Sequence, residues 1–159
     1  MVFQVEPLRE ADARAILTWR YPEPYDFYNP PDDGRDEQYV NAFLDPLLKF
    51  HAVRDQARML AGFCSYGLDG QVQGGDYRDD ALDIGLGMRP ELTGQGHGAA
   101  FFEAILQHGI AAFAPHRFRL TVADFNTRAM RLYEAFGLRE QSRFEQHWVT
   151  YCILTRSAH

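Results

Sequence analysis

At 159 residues the chain has room for one domain with a full core and little room for a second. Hydrophobic residues make up 46% and charged residues 24%, ordinary for a soluble globular chain, with aromatics enriched at 14%. A net charge of −6 with no Lys/Arg cluster argues against a nucleic-acid partner. No apolar run approaches the ~18 residues of a membrane span, so no membrane partner is expected. The opening residues Met1–Glu6 have neither a basic nor an apolar signal region, which leads us to expect a cytoplasmic location. Cys64 and Cys152 lie in apolar, strand-like segments with no metal or redox spacing, so buried free thiols and no metal site are expected.

In chain order, Val2–Val5 reads as a first strand. Glu10–Trp19 reads as a helix with Ala11, Ala15, Ile16 and Trp19 on one face. Tyr21–Pro31 is a proline-punctuated loop, and Asp36–Leu44 can form a second helix. Phe50–Arg54 and Met59–Tyr66 look like paired strands turning near Asp55-Gln56. Gly67–Asp80 reads as a loose loop, followed by a strand over Leu82–Met88. The next helix runs about Gly96–Phe113 and buries Phe102, Ile105, Leu106, Gly109, Ile110 and Phe113. Arg119–Ala123 follows as a strand, parallel to Leu82–Met88 if the helix is a right-handed crossover. Asn126 then caps a helix ending at Phe136, with Gly137 as the left-handed residue. Leu138–Phe144 and Trp148–Thr155 close the chain as a hairpin. The sum is an α/β (α+β) arrangement of six or seven strands in a mixed sheet with about four helices, one domain over residues 1–159.

The run Thr93-Gly94-Gln95-Gly96-His97-Gly98-Ala99 carries the chemistry. Glycines at every second position leave backbone amides uncovered by side chains. At the start of a helix, where amides lack partners and the dipole is positive, such groups suit a phosphate or pyrophosphate. The run satisfies a dinucleotide fingerprint, and Asp124 ends the next strand about where a ribose-binding acid is wanted. A nicotinamide-dependent oxidoreductase is nevertheless disfavoured, because only one helix-crossover unit fits after residue 94. A P-loop is excluded by the absence of Gly-Lys-Ser/Thr.

Residues 84–102 resemble motif A of the GCN5-related N-acetyltransferase (GNAT) superfamily, with Met88-Arg89-Pro90 followed by the glycine run. A second element, Asn126-Thr127-Arg128-Ala129-Met130-Arg131-Leu132-Tyr133-Glu134-Ala135-Phe136-Gly137-Leu138, resembles that superfamily's Asn-x-x-Ala-x-x-Leu-Tyr-Glu-x-x-Gly-Phe segment. The resemblance implies a mostly antiparallel sheet with a central, splayed parallel pair formed by Leu82–Met88 and Arg119–Ala123. It implies acetyl-coenzyme A as co-substrate, its pantetheine arm paired with the backbone of Leu86, Gly87 and Met88. Thr93, Gly94, Gln95, Gly96, His97, Gly98 and Ala99 would hold the pyrophosphate, and Asn126 would touch the pantetheine or carry the helix cap. Thr93 departs from the usual Arg or Gln, and Arg89, Arg128 or Arg131 could replace its charge in part.

The implied reaction is direct acetyl transfer to a primary amine of a small molecule or peptide. Tyr133 occupies the position of the superfamily's proton donor to the leaving sulfur, although its spacing alone reads as core. Asp83 is the candidate base, with a solvated or salt-bridged strand carboxylate as the equal alternative. Tyr21, Tyr25, Phe27 and Tyr28, interleaved with Glu23, Asp26, Asp32 and Asp33, are the candidate acceptor site; packing of a proline-rich loop explains them equally. A non-catalytic coenzyme A-binding module of the same fold is the alternative function, and exposed edge strands permit a homodimer.

Overall fold

Glycine, proline and side-chain hydrogen bonds to the backbone mark where several elements of this chain begin and end. The computed structural model describes residues 1–159. The strands are β1 (Gln4–Pro7), β2 (Phe50–Arg54), β3 (Leu60–Tyr66), β4 (Leu82–Met88), β5 (Arg117–Ala123), β6 (Arg139–Gln146) and β7 (Val149–Ser157). The helices are α1 (Glu10–Ile16), α2 (Asp36–Leu44), α3 (Gly98–Phe113) and α4 (Thr127–Ala135). The seven strands are ordered β1-β2-β3-β4-β5-β7-β6. The sheet is mostly antiparallel, and β4 and β5 are its parallel pair, with Leu82 opposite Phe118 and Asp83 opposite Arg119. No helix is long and apolar enough to cross a membrane.

The chain forms two compact units: Met1–Cys64 with Leu86–Leu106, and Ser65–Gly85 with Gln107–His159. In the first, β1 pairs with β2 from Gln4 opposite Arg54 to Pro7 opposite His51. This shifts the strand two residues beyond the expected Val2–Val5. Pro7 is tolerated because β1 is an edge strand that needs no donor on its outer side. Helix α1 ends at Ile16 rather than Trp19, as Thr18 closes a turn by donating its hydroxyl to the Ala15 carbonyl at 2.6 Å. Its buried side is Asp12, Ala13 and Ile16, and the expected core residue Ala11 is exposed. Asp12 can be buried because one oxygen accepts from Arg54 at 2.7 Å and from the Arg9 amide at 3.0 Å. Much of the aromatic excess gathers around Phe63, with Phe43 5.8 Å and Trp19 and Phe50 each 6.2 Å away between ring centres.

In the second unit the C-terminal half of α3 lies against Tyr66 and Phe118. Its Gly109 allows the close approach, since an added Cβ would stand 3.1 and 3.2 Å from those rings. Helix α4 ends as expected, with Phe136 at the cap and Gly137 left-handed at φ +89. Strands β6 and β7 close with Gln146 opposite Val149, so the tip is the two-residue turn His147-Trp148, both at positive φ. Both cysteines are buried free thiols, and burial pushes the Cys152 thiol up to about 11.

Candidate active site

In the first unit the site begins at the end of β4. Arg89 turns the chain away from the strand, and Pro90–Leu92 forms a single 3-10 turn. The Thr93 hydroxyl closes this turn by donating to the Pro90 carbonyl at 2.8 Å, and the Gln95 side-chain amide donates to Glu91 at 2.9 Å. Gly94 and Gly96 then adopt φ +71 and +83. Those values cannot continue into a helix, which is why α3 starts at Gly98 and not at Gly96. Its first internal bond runs from the Phe101 amide to the His97 carbonyl at 3.0 Å.

Gly94, Gln95, Gly96, Ala99 and Ala100 are exposed, and an added Cβ at Gly96 would meet nothing within 4 Å. No acidic residue stands in the first turn of this 16-residue helix to compete for its amides. The His97 ring lies edge-on to Phe3 at 6.5 Å. The turn is therefore pre-formed, open and electropositive, an arrangement that fits a pyrophosphate. Thr93 shapes it from within through its bond to Pro90. The Arg89 guanidinium donates to the Leu60 carbonyl at 3.0 Å and approaches Glu91 at 3.7 Å, so part of its charge is already engaged.

The backbone of Leu86, Gly87 and Met88 belongs to the same unit. Gly87 has no side chain because the Phe63 ring fills that space, 2.5 Å from where a Cβ would stand. Of the candidate acceptor residues, Tyr21 is half-buried and its phenol donates to the Met88 carbonyl at 2.6 Å. Burial, with the nearby Glu91 carboxylate adding to it, pushes the Tyr21 phenol up to about 12. Tyr25 is half-buried, and Phe27 and Tyr28 are exposed and in edge-to-face contact at 5.0 Å. Asp33 is committed to Arg35 at 2.7 Å, whose guanidinium, with the Tyr39 hydroxyl, holds it at about 2.

In the second unit Asp83 is 3% exposed and Arg119 4%. Two parallel bonds of 2.7 and 2.8 Å join them, and the Gln71 side chain donates to Asp83 at 2.9 Å. Arg119 also donates to the Asp79 carbonyl at 2.9 Å and lies 5.0 Å from the Tyr77 ring centre. Both Asp83 oxygens are thus occupied, and the carboxylate in turn holds the Arg119 pKa above its ordinary value. This geometry favours the salt-bridged reading of Asp83 over the base. Sequence reasoning missed Arg119 as its partner. The signal was one Asp at the second position and one Arg at the first position of two strands expected to lie in parallel.

Asn126 accepts from the Ala129 amide at 3.1 Å and so caps α4. Asn126→Ala should lower stability by about 1 kcal/mol, read from urea unfolding midpoints. If the cap is its whole role, acetyl-coenzyme A affinity will not change. Tyr133 is the buried residue of α4, 7% exposed.

A profile of the acetyltransferase (GNAT) family matches residues 12–138. No protein of curated function matches the chain by sequence. Spermidine N-acetyltransferase from Vibrio cholerae, solved in complex with CoA and spermine, aligns over 98% of this chain and 95% of its own at TM-score 0.76 and 17% identity. A chimera of that enzyme with hSSAT aligns over 99% and 96%, at TM-score 0.75 and 18% identity. A GNAT-family acetyltransferase from Bacillus anthracis gives TM-score 0.75 over 99% and 96%, at 15% identity. These solved structures share the fold. By the family match over most of its length, the chain belongs to the GNAT acetyltransferase family, and with it to the acetyl-CoA-dependent N-acetyltransferases.

Proposed function

We propose that residues 1–159 act as one acyltransferase domain that moves the acetyl group of acetyl-coenzyme A directly to a primary amine of a small molecule or peptide. The observation that carries this reading is the pre-formed, solvent-open turn Gly94–Gly98 opening α3 immediately after β4. The thioester would supply the activated acyl group. The amides of Gly94–Ala99 would hold the pyrophosphate, and backbone groups of Leu86–Met88 would orient the pantetheine arm.

A primary amine has a pKa of ~10 and attacks only after losing its proton to solvent. Its nitrogen then forms the amide bond as the carbon–sulfur bond breaks, and its surplus proton passes to solvent, which afterwards restores the proton donor. The phenol of Tyr133 would return a proton to the departing sulfur. Asp83, committed to Arg119, takes no part in these proton transfers. An acyl-enzyme is not required, and the raised Cys152 thiol is a poor nucleophile. Spermine bound to the Vibrio enzyme supports an amine acceptor. So does the charge of residues 21–33, which carry four carboxylates and no cation.

Isothermal titration with acetyl-coenzyme A tests the reading. Micromolar binding is expected, with a loss of about 100-fold in Gly96→Glu through strain at positive φ and a carboxylate aimed at the phosphates. Tyr133→Phe should keep that affinity and lose about 100-fold in turnover. Undiminished turnover in Tyr133→Phe would remove it from the chemistry.

A further inference from the structure

Two hydrogen bonds clasp the segment after α1. The Tyr21 phenol donates to the Met88 carbonyl at 2.6 Å, across 67 residues of sequence. The Tyr21 amide donates to the Asn29 side-chain oxygen, also at 2.6 Å, which ties the two ends of the segment together. Between the clasps the chain forms the single 3-10 turn Tyr25–Tyr28, with the edge-to-face pair Phe27 and Tyr28 exposed to solvent.

The direction of the Met88 carbonyl gives the first clasp its meaning. A trans peptide sends its N–H and C=O to opposite sides. The Arg89 amide, in the same peptide unit, donates to Ala61 of β3 at 2.8 Å. The Met88 carbonyl is therefore aimed away from β3, at the flank of β4 that the acetyl-transfer reading gives to the pantetheine arm. The Tyr21 hydroxyl ends that flank. A phenol whose ionisation lies near 12 remains a donor throughout the physiological range.

We propose that Tyr21 is a positioning residue: through Met88 it fixes residues 22–28 beside the end of β4, as a wall for an amine acceptor with an apolar body. The inference rests on the acetyl-transfer reading. The wall combines the exposed rings of Phe27 and Tyr28 with the exposed carboxylates Glu23 and Asp26, and the exposed Asp32 follows just beyond the second clasp. Rings attract the cation and cover its apolar body, and the carboxylates draw positive charge. The other acids nearby are already neutralised, Asp33 by Arg35 and Glu37 by Arg14 at 2.9 Å. An aromatic monoamine fits this wall better than a long polycation, because it uses the rings as well as a carboxylate, whereas a polycation engages the carboxylates alone and leaves the rings uncovered.

The test compares wild type with Tyr21→Phe, which keeps the ring and removes only the donor, using phenethylamine and spermidine as acceptors. In Tyr21→Phe the KM for phenethylamine should rise about fivefold, the effect of one hydrogen bond. Both kcat and the Kd for acetyl-coenzyme A should stay within about twofold. Asn29→Ala, which opens the second clasp without touching β4, should raise the same KM. Chymotrypsin should cleave after Tyr25, Phe27 or Tyr28 about fivefold faster in Tyr21→Phe. An unchanged KM with unchanged cleavage overturns the proposal, as does a Kd for acetyl-coenzyme A that rises in step with KM. A wild-type preference for spermidine overturns the acceptor class. A wild type that acetylates no amine overturns the acetyl-transfer reading instead, and the cleavage comparison still decides whether Tyr21 holds the segment.

Discussion

Replacing Asp83 with Ala should lower stability by about 3–5 kcal/mol, because it leaves the Arg119 guanidinium buried without its counter-charge. That is a large part of the ~5–15 kcal/mol that holds a domain of this kind together. The loss reaches beyond the pair. Arg119 also holds the Asp79 carbonyl, and Gln71 reaches Asp83 from the other end of the same loop. Tyr77, stacked near Arg119, accepts from the Val72 amide at 2.9 Å and bonds the Thr121 hydroxyl at 2.8 Å. Amides of residues 71–79 should therefore exchange faster in Asp83→Ala. The double variant Asp83→Ala/Arg119→Met should recover part of the stability, since it removes the buried unpaired charge but not the lost bonds to Asp79 and Gln71. A catalytic base behaves in the opposite way: its removal costs turnover and leaves the urea midpoint in place. An Asp83→Ala protein with the wild-type midpoint and no turnover would return Asp83 to the chemistry.

The same pair shows what a sequence does and does not disclose. Strands and helices bounded by strong punctuation were legible to the residue: α2, β2 and β4 lie where charge, turn and proline signals put them. The glycine turn was legible because its conformation is written in residue type, although its second positive-φ glycine, Gly96, delays α3 by two residues. Long-range partners were not legible. Asp12 reads as a solvent residue until Arg54, 42 positions away, is brought against it. Asp83 and Arg119 become partners only through a parallel register that no local signal sets. Tyr21 was legible as a loop aromatic and not as a donor to β4, since loop path is decided by packing rather than by propensity.

Gly62→Ala should destabilise the chain by about 3 kcal/mol, near the upper range for overpacking a filled core. The added Cβ would collide with the Gly87 carbonyl oxygen and stand 2.5 and 2.6 Å from two ring atoms of Phe101. Phe101 is itself 1% exposed, so its ring has nowhere to withdraw. Gly87→Ala makes the instructive contrast. Its Cβ would meet only the Phe63 ring, at 2.5 and 2.7 Å, and that ring is half-buried and can tilt. We expect about 1 kcal/mol there, together with displacement of the cluster that Phe63 forms with Trp19, Phe43 and Phe50. Denaturant unfolding of the two variants orders the effects. Adding Phe101→Leu to Gly62→Ala relieves the ring contact but leaves the carbonyl in place, so rescue should be partial. Full rescue would mean that the Phe101 ring alone required a glycine at 62. No rescue would mean that the approach of β3 to the Gly87 carbonyl requires it, and that β4, with the backbone groups assigned to the cofactor, must shift whenever residue 62 carries a side chain.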